Sequence, residues 1–371
     1  MKPFRSIVTA ATFAGVLAGV MAGCGQQSSP AKTQPSKTKT VNASAPNNNQ
    51  NGNTGLITSP PSQLDPLTGL KSPKHGPLVA IMVENTEYGR PQYGLRSADI
   101  VYEAYTEFFY YSRYLLLYWG HAPSQVGPVR SARPYFVSLV HEWPAAYAHA
   151  GASNPGYTSI AQDHIHNLDL DANAYNLGYR VASRPAPHNL FVNASSVMQA
   201  ADNAWGNPRV TGHWPFVNHV TSGTPPYQTI TMEWNPRNTL EQWRWDPAAN
   251  GWTRWVEDQE ANTGFQQVMG LNSGKPVVAS NVVIEYTTEN YLYDPAGTGW
   301  ISVNTRGQGK ALLFLGNRFY DGIWKNNGSG TPTHFYLTNG KQVAFDPGQT
   351  WIEIVPNSHS AKNPFHLTLG H

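Results

Sequence analysis

The chain has 371 residues and one cysteine, Cys24. With that thiol confined to the N-terminal region, disulfides, zinc–thiolate centres and cysteine nucleophiles are excluded from everything that follows it. Charge is also scarce: 13% of residues are Asp, Glu, Lys or Arg, about half the usual ~25%. The net charge of +2 is too small for a nucleic-acid face, which needs a strongly basic surface, so no nucleic-acid partner is expected. No apolar run reaches the roughly 20 residues of a membrane-spanning helix. Nucleotide and hydrolase signatures are missing as well. Gly307-Gln308-Gly309-Lys310 lacks Walker spacing and runs into the apolar stretch Ala311–Leu315, so a tight turn explains it. Ser131 has no Gly-x-Ser-x-Gly elbow around it.

What is present at the start is an export address. Lys2 and Arg5 are followed by an uncharged, mostly apolar stretch from Ile7 to Ala22, and small residues lead into Cys24. That order is a secretory signal. Met21-Ala22-Gly23-Cys24 resembles a lipobox, with Met where Leu is usual, which implies cleavage before Cys24 and a diacylglycerol on its sulfur. The expected location is the extracytoplasmic face of the cell membrane, held by lipid at Cys24. Residues 24–61 are Ser, Thr, Asn, Gln, Pro and Lys with almost no large apolar residue. Such a segment cannot offset its chain entropy and is expected to be a disordered tether. As a flexible coil it reaches roughly 30–35 Å.

About 310 residues remain, more than one core usually serves, so two domains are expected. The fold class read from the pattern is α+β: a mixed α/β domain over residues 62–225, then a sheet-dominated domain over 226–371. In the first, Leu78–Val83, Ala98–Tyr105, Tyr114–Trp119 and Ala145–Ala150 read as strands. Helices are expected after Ser131 as N-cap, from Pro155 to His164, and from Ala194 to Ala204. In the second, Trp243-Arg244-Trp245-Asp246-Pro247 through Asn250-Gly251-Trp252 predicts a hairpin with Gly at positive φ, echoed at Tyr291–Trp300. The tryptophans could serve as a sugar-stacking platform, but aromatics at strand spacing are more often core.

The densest polar constellation is Arg90, Glu103, Glu107, Arg113, Arg130, Ser131 and Arg133, all beside strand ends or a helix start. Guanidiniums flanking a helix N-terminus suit a carboxylate or phosphate. The competing reading is that these arginines pair with Glu103, Glu107 or Asp99 and merely fix the elements together. His149 and His188 are the two histidines that could join them as acid, base or donor. Asp163-His164-Ile165-His166 with Asp169 and Asp171 has a metal flavour but no known ligand spacing; no metal and no cofactor are expected. Glu285 or Glu353 could join a second carboxylate for glycoside cleavage only at a suitable separation.

Several stretches together resemble a known family: Asp65-Pro66-Leu67-Thr68-Gly69-Leu70, Arg90-Pro91-Gln92-Tyr93-Gly94-Leu95, Ala98-Asp99-Ile100-Val101-Tyr102-Glu103 and Gly127-Pro128-Val129-Arg130-Ser131-Ala132-Arg133. Ala186-Pro187-His188-Asn189-Leu190, Gly307–Ala311, Gly322-Ile323-Trp324-Lys325 and Asp346-Pro347-Gly348-Gln349-Thr350-Trp351 continue the match. The set resembles the YerB-type lipoproteins, the DUF3048 family. The resemblance implies a two-part fold on a lipid anchor in Gram-positive bacteria, and no established reaction. It also implies a Gly-Gly pair ahead of the Thr-Arg that corresponds to Ser112-Arg113, where Phe108 and Phe109 stand here. Catalytic residues are unassigned. The expectation carried forward is a binding surface for an anionic or glycan-containing envelope ligand, or for a surface protein, built from Arg90, Glu103, Arg113, Arg130, Ser131, Arg133, His149 and His188. The alternative is an envelope hydrolase or transferase using His149 or His188.

Overall fold

The computed structural model describes residues 55–56, 64–72, 76–210, 213–219, 223–235, 239–258, 264–292, 299–358 and 364–371. The export signal and Cys24 lie outside them. Within the stretch read as a tether, Gly55–Leu56 pairs antiparallel with Val217–Asn218.

The first half supplies β1 (Leu78–Asn85), β2 (Ile100–Tyr105), β3 (Ser112–Trp119), α1 (Pro134–His141), β4 (Ala145–His149), α2 (Asn154–Gln162), β5 (His166–Asp169) and α3 (Ala194–Trp205). The second supplies β6 (Thr229–Asn235), β7 (Thr239–Asp246), β8 (Gly251–Asp258), β9 (Asn281–Thr287), β10 (Gly307–Leu315), β11 (Arg318–Asn326), β12 (His334–Leu337), β13 (Thr350–Pro356) and β14 (His366–Gly370). Sheet therefore dominates, with helices on strands only in the first half.

One ten-stranded mixed sheet takes strands from both halves, in the order β12-β11-β10-β9-β13-β2-β3-β1-β4-β5. The join is β13, parallel to β9 on one side and to β2 on the other. A second sheet, β8-β7-β6-β14 with Gln266–Gln267 at its edge, is antiparallel throughout. Every residue of β1, β2 and β13 is buried, as expected of strands covered on both faces. Their sequences are accordingly largely apolar without alternation, and the few polar residues in them, Glu84, Asn85, Glu103, Thr350 and Glu353, are buried.

Two helix starts follow the expected chemistry. Ser153 accepts from the Gly156 N–H at 3.2 Å to cap α2, and Asn193 accepts from the Ser195 and Ser196 N–H groups to cap α3. The start of α1 does not. Ser131 is not its N-cap; Arg133 is, in extended conformation and without a side-chain cap bond. The reason is that residues 130–132 continue the sheet edge: Arg130 N–H donates to Met82 O, and Ala132 bridges Ala152.

The tryptophan hairpin forms as expected, with Trp245 opposite Trp252. Its positive φ falls on Asn250 (φ 48°), not on Gly251. Gly251 is needed for space, since a Cβ there would lie 2.6 Å from Val278. Trp243 and Trp252 are core, packing on Trp351 at 4.9 Å and Phe314 at 5.5 Å between ring centres. The echo at Tyr291–Trp300 lies largely outside the described residues. Gly307–Lys310 is the first part of β10 rather than a turn.

Phe108 and Phe109 occupy φ of 60° and 53°, the left-handed region in which glycine is at ease and other residues are not. A Gly-Gly pair would hold the same loop without strain. The half-exposed Phe108 should therefore tolerate Phe108→Gly within about 0.5 kcal/mol, since relief of strain offsets the entropy cost of glycine. Phe109→Gly removes a buried ring packed on Tyr105 and should cost about 3 kcal/mol or more. Urea denaturation midpoints of the two variants test this contrast.

Candidate functional site

Pairing fixes a common direction for β1, β2, β4, β5, β9 and β13, which all end at the same rim. Outside the carboxyl ends of such strands is where open α/β sheets usually bind ligands. The segments after β1 and β2 carry Arg90 and Glu107, the segment returning to the rim after β3 carries Arg130 and Arg133, and β3 enters from the rim at Arg113. The N-termini of α1 and α2 open on the same side.

Register sorts the polar residues onto the two faces of the sheet. Glu84 lies opposite Arg113 on β1 and β3, and Asn85 lies opposite Ser112. Successive side chains alternate, so Glu84 and Arg113 share one face, while Asn85, Ser112 and Glu103 share the other.

On the first face, the buried Glu84 carboxylate is the hub. Its Oε1 accepts from Arg130 Nη2 at 2.8 Å and from Thr86 Oγ1 at 2.5 Å, and His188 Nδ1 lies 2.7 Å away. Gly89 must be glycine because a Cβ would come within 2.7 Å of Glu84 Cγ. Arg184 extends the group, donating to the carbonyls of Gly89 and Pro91 at 2.7 and 2.6 Å. Beside it, Arg113 donates to Glu107 and to the Ser131 carbonyl (2.6 Å), and Arg133 pairs with the same Glu107. A cavity of about 30 Å³ opens between the starts of α1 and α2, lined by Glu107, Arg133, Tyr135, Ser153 and Trp300 among others.

On the second face, between the two sheets, Arg254 is the hub. It donates to Glu353 Oε1 at 2.9 Å, to Glu103 Oε2 at 2.6 Å and to Glu241. The rings of Trp243 and Trp351 lie 5.0 Å from its guanidinium carbon. Burial, with the neighbouring Glu241 and Glu353 charges, pushes the Glu103 carboxyl well above the usual range; burial also raises Glu353. Arg254 and then Arg90 hold Glu241 below that range in spite of burial. Asn85 links the two faces. Its amide nitrogen lies 2.8 Å from acceptor oxygens of Glu103, Ser112 and Glu241, while its oxygen accepts from Arg90 Nη2 at 3.0 Å.

Of the expected site residues, Arg113, Arg130, Arg133 and His188 come together at the rim, while Arg90 turns to Asn85 and Glu241. Ser131 is there through its carbonyl. Glu103 does not join them at the surface, being fully buried between the sheets. His149 is fully buried too, bonded to Gly151 O at 2.8 Å and Asn167 at 2.7 Å, with no contact to the arginines. The competing reading of paired arginines is met through Glu107 and through Glu84, a partner sequence reasoning missed. Its one signal was a carboxylate closing an apolar strand. Arg254 and Glu241 were missed as well.

The Asp163–Asp171 stretch draws together no metal-binding group: Asp163 pairs with Arg306 and His166 stacks on Trp205. Glu285 and Glu353 fall on opposite faces, because Glu353 registers with Ile284. Asp65, Asp99 and His121 do place ligand atoms within 4.8 Å of one another. However, both His121 nitrogens face carbonyls, Trp119 O at 3.1 Å and Ser97 O at 2.8 Å, an arrangement that satisfies a donor imidazole rather than a cation.

Comparison with known proteins decides the family. Residues 67–207 match the model of the N-terminal domain of the protein of unknown function DUF3048, and residues 230–352 match its C-terminal domain. The chain belongs to the YerB-like DUF3048 family. It is 32% identical over 312 residues to "Putative lipoprotein YerB" of Bacillus subtilis (strain 168), covering 80% of this chain and 87% of that protein. The crystal structure of the YerB protein from Bacillus subtilis superimposes with a TM-score of 0.68 at 28% identity, over 82% of this chain and 99% of the other. The family thus accounts for both halves and for the shared sheet. Among the described residues no helix is long and apolar enough to cross a membrane.

Proposed function

We propose that the protein is a lipid-anchored surface receptor whose carboxyl rim binds an anionic envelope ligand. The observation that carries this reading is the charge balance around Glu84. Arg113, Arg130, Arg133 and Arg184 stand against Glu84, Glu87 and Glu107, which leaves an excess of one positive charge beside the uncapped start of α1, while Arg90 pairs with Glu241. A guanidinium already fixed by one carboxylate keeps free N–H groups in a rigid fork for a second anion. Attachment at Cys24 places that rim outside the membrane, in keeping with the lipoprotein name of the relative.

A thermal-shift screen with teichoic-acid pieces, peptidoglycan fragments and inorganic phosphate tests the reading. A ligand at 100 times its Kd stabilises the fold by about 2.7 kcal/mol. Arg133→Ala, which leaves the Glu84 hub intact, is expected to reduce the shift, and Arg130→Ala to abolish it. A flat screen on folded protein overturns the reading and directs the search to protein partners.

The Glu84–His188 pair favours a second reading, a hydrolase or transferase at the same rim. A carboxylate at Nδ1 orients an imidazole and leaves Nε2 for proton transfer. Product formation from a bound ligand, lost in His188→Gln while binding persists, distinguishes this enzyme from a receptor.

A further inference from the structure

Seven aromatic side chains among the described residues are exposed: Tyr88, Phe108, Tyr157, Tyr175, Tyr179, Trp205 and Tyr291. They are not scattered. Tyr88 follows β1, Phe108 follows β2, Tyr157 follows β4, Tyr175 follows β5 and Tyr291 follows β9, so five of the seven leave the carboxyl rim. Exposed apolar surface concentrated in one place marks an interaction site, whereas single exposed rings do not. The rings are interleaved with the charged groups. Tyr88 lies 5.3 Å from the His188 ring. Phe108 adjoins Glu107, the partner of Arg113 and Arg133, and lies 6.3 Å from Tyr291. Tyr157 is held in place by its hydroxyl, which donates to Asp169 at 2.9 Å.

We infer that the ligand is an extended anionic glycan, with the arginines binding its acidic groups and the rim aromatics stacking on its sugar rings. The inference rests on the anion-binding reading above and names the class of ligand. A pyranose presents apolar C–H faces and hydroxyl edges, which match rings that are apolar on the face and wet at the rim. From β9 to β5 the sheet spans six inter-strand steps, roughly 29 Å at about 4.8 Å each, longer than any monosaccharide. Charge argues against a single-stranded nucleic acid, the other polymer that combines stacking with guanidiniums. The excess positive charge is confined to the Glu84 end, and Asp169 and Asp171 stand at the β5 end. A phosphate at every unit meets repulsion there. A glycan with acid on only some of its sugars does not.

The test is binding of hyaluronan oligosaccharides, which carry one carboxylate per disaccharide, to the full chain in detergent micelles. Glucuronate, neutral dextran and oligodeoxythymidine serve as comparators. The oligosaccharides are expected to bind more tightly than glucuronate and than dextran. Affinity is expected to fall about tenfold in Tyr88→Ala and in Tyr291→Ala, exposed positions whose loss leaves the fold intact, and further in Arg130→Ala. Binding of glucuronate that depends on Arg130, with no gain from chain length and no effect of either tyrosine, overturns the glycan inference and leaves the anion site standing. Tighter binding of oligodeoxythymidine overturns it in favour of nucleic acid. If no anion binds, both readings fall.

Discussion

Arg254→Met is expected to lower stability by about 3–5 kcal/mol at neutral pH, enough to leave much of the protein unfolded at growth temperature. The guanidinium is 1% exposed and is the shared partner of three buried carboxyl groups. Methionine can fill the slot between Trp243 and Trp351, so packing is largely kept and the electrostatic loss is isolated. What remains is Glu241, with only Arg90 at 3.6 Å to face it. Because burial already raises the Glu103 and Glu353 carboxyls, the penalty should shrink as the pH falls toward 5 and protons neutralise the cluster. Guanidinium denaturation of both proteins at pH 7.5 and pH 5 measures this. A loss under about 1 kcal/mol at neutral pH would mean that the cluster is bystander chemistry.

The second large effect is a rise in stability on mild acidification. Burial raises the Glu103, Glu285 and Glu289 carboxyls well above the usual range. It pushes Glu142 up to about 8, although Thr333 and Asn326 hydrogen bonds to its oxygens pull the other way. An acid that holds its proton more tightly folded than unfolded makes the native state the more protonated one. Stability then falls as pH rises from about 4.5 to the folded value and is flat beyond it. For Glu142 that window closes near pH 8. Its share is on the order of a few kcal/mol, at about 1.4 kcal/mol per unit. Glu241 and Asp169 act in the opposite sense, since their values are lowered, and their contribution is lost below about pH 4. Maximum stability is therefore expected near pH 5, higher than at pH 8, and Glu142→Gln should flatten the slope between them. Melting temperatures that rise from pH 5 to pH 8 would refute this account.

The parts of this fold that could be read from sequence are those set by neighbours along the chain. Leu78–Val83 is a run too apolar to be anything but buried. Ser153 and Asn193 stand where a helix needs a cap. Ser131 misled because the same residue type serves as cap or as edge strand, and the choice is made by Met82, some fifty residues away. The candidate site divides in the same way. Arg130, Arg133 and His188 stand out as polar residues at predicted ends, whereas Glu84 meets His188 across 104 residues. Arg254 was hidden in a hairpin whose tryptophans read as core. Its carboxylate partners lie 151, 13 and 99 residues off, and no local pattern announces a charge placed between two sheets.

The place of β13 also governs how the molecule can be made. A chain is made from its N-terminus, and β2 appears early. The strand that covers its edge is Thr350–Pro356, close to the C-terminus. Until those residues are made, a strand meant for full burial presents a bare row of N–H and C=O groups to its neighbours, the condition under which nascent chains pair wrongly. Completion of the sheet is thus a late event in synthesis, and a chain truncated before residue 350 leaves β2 without the strand that covers its edge.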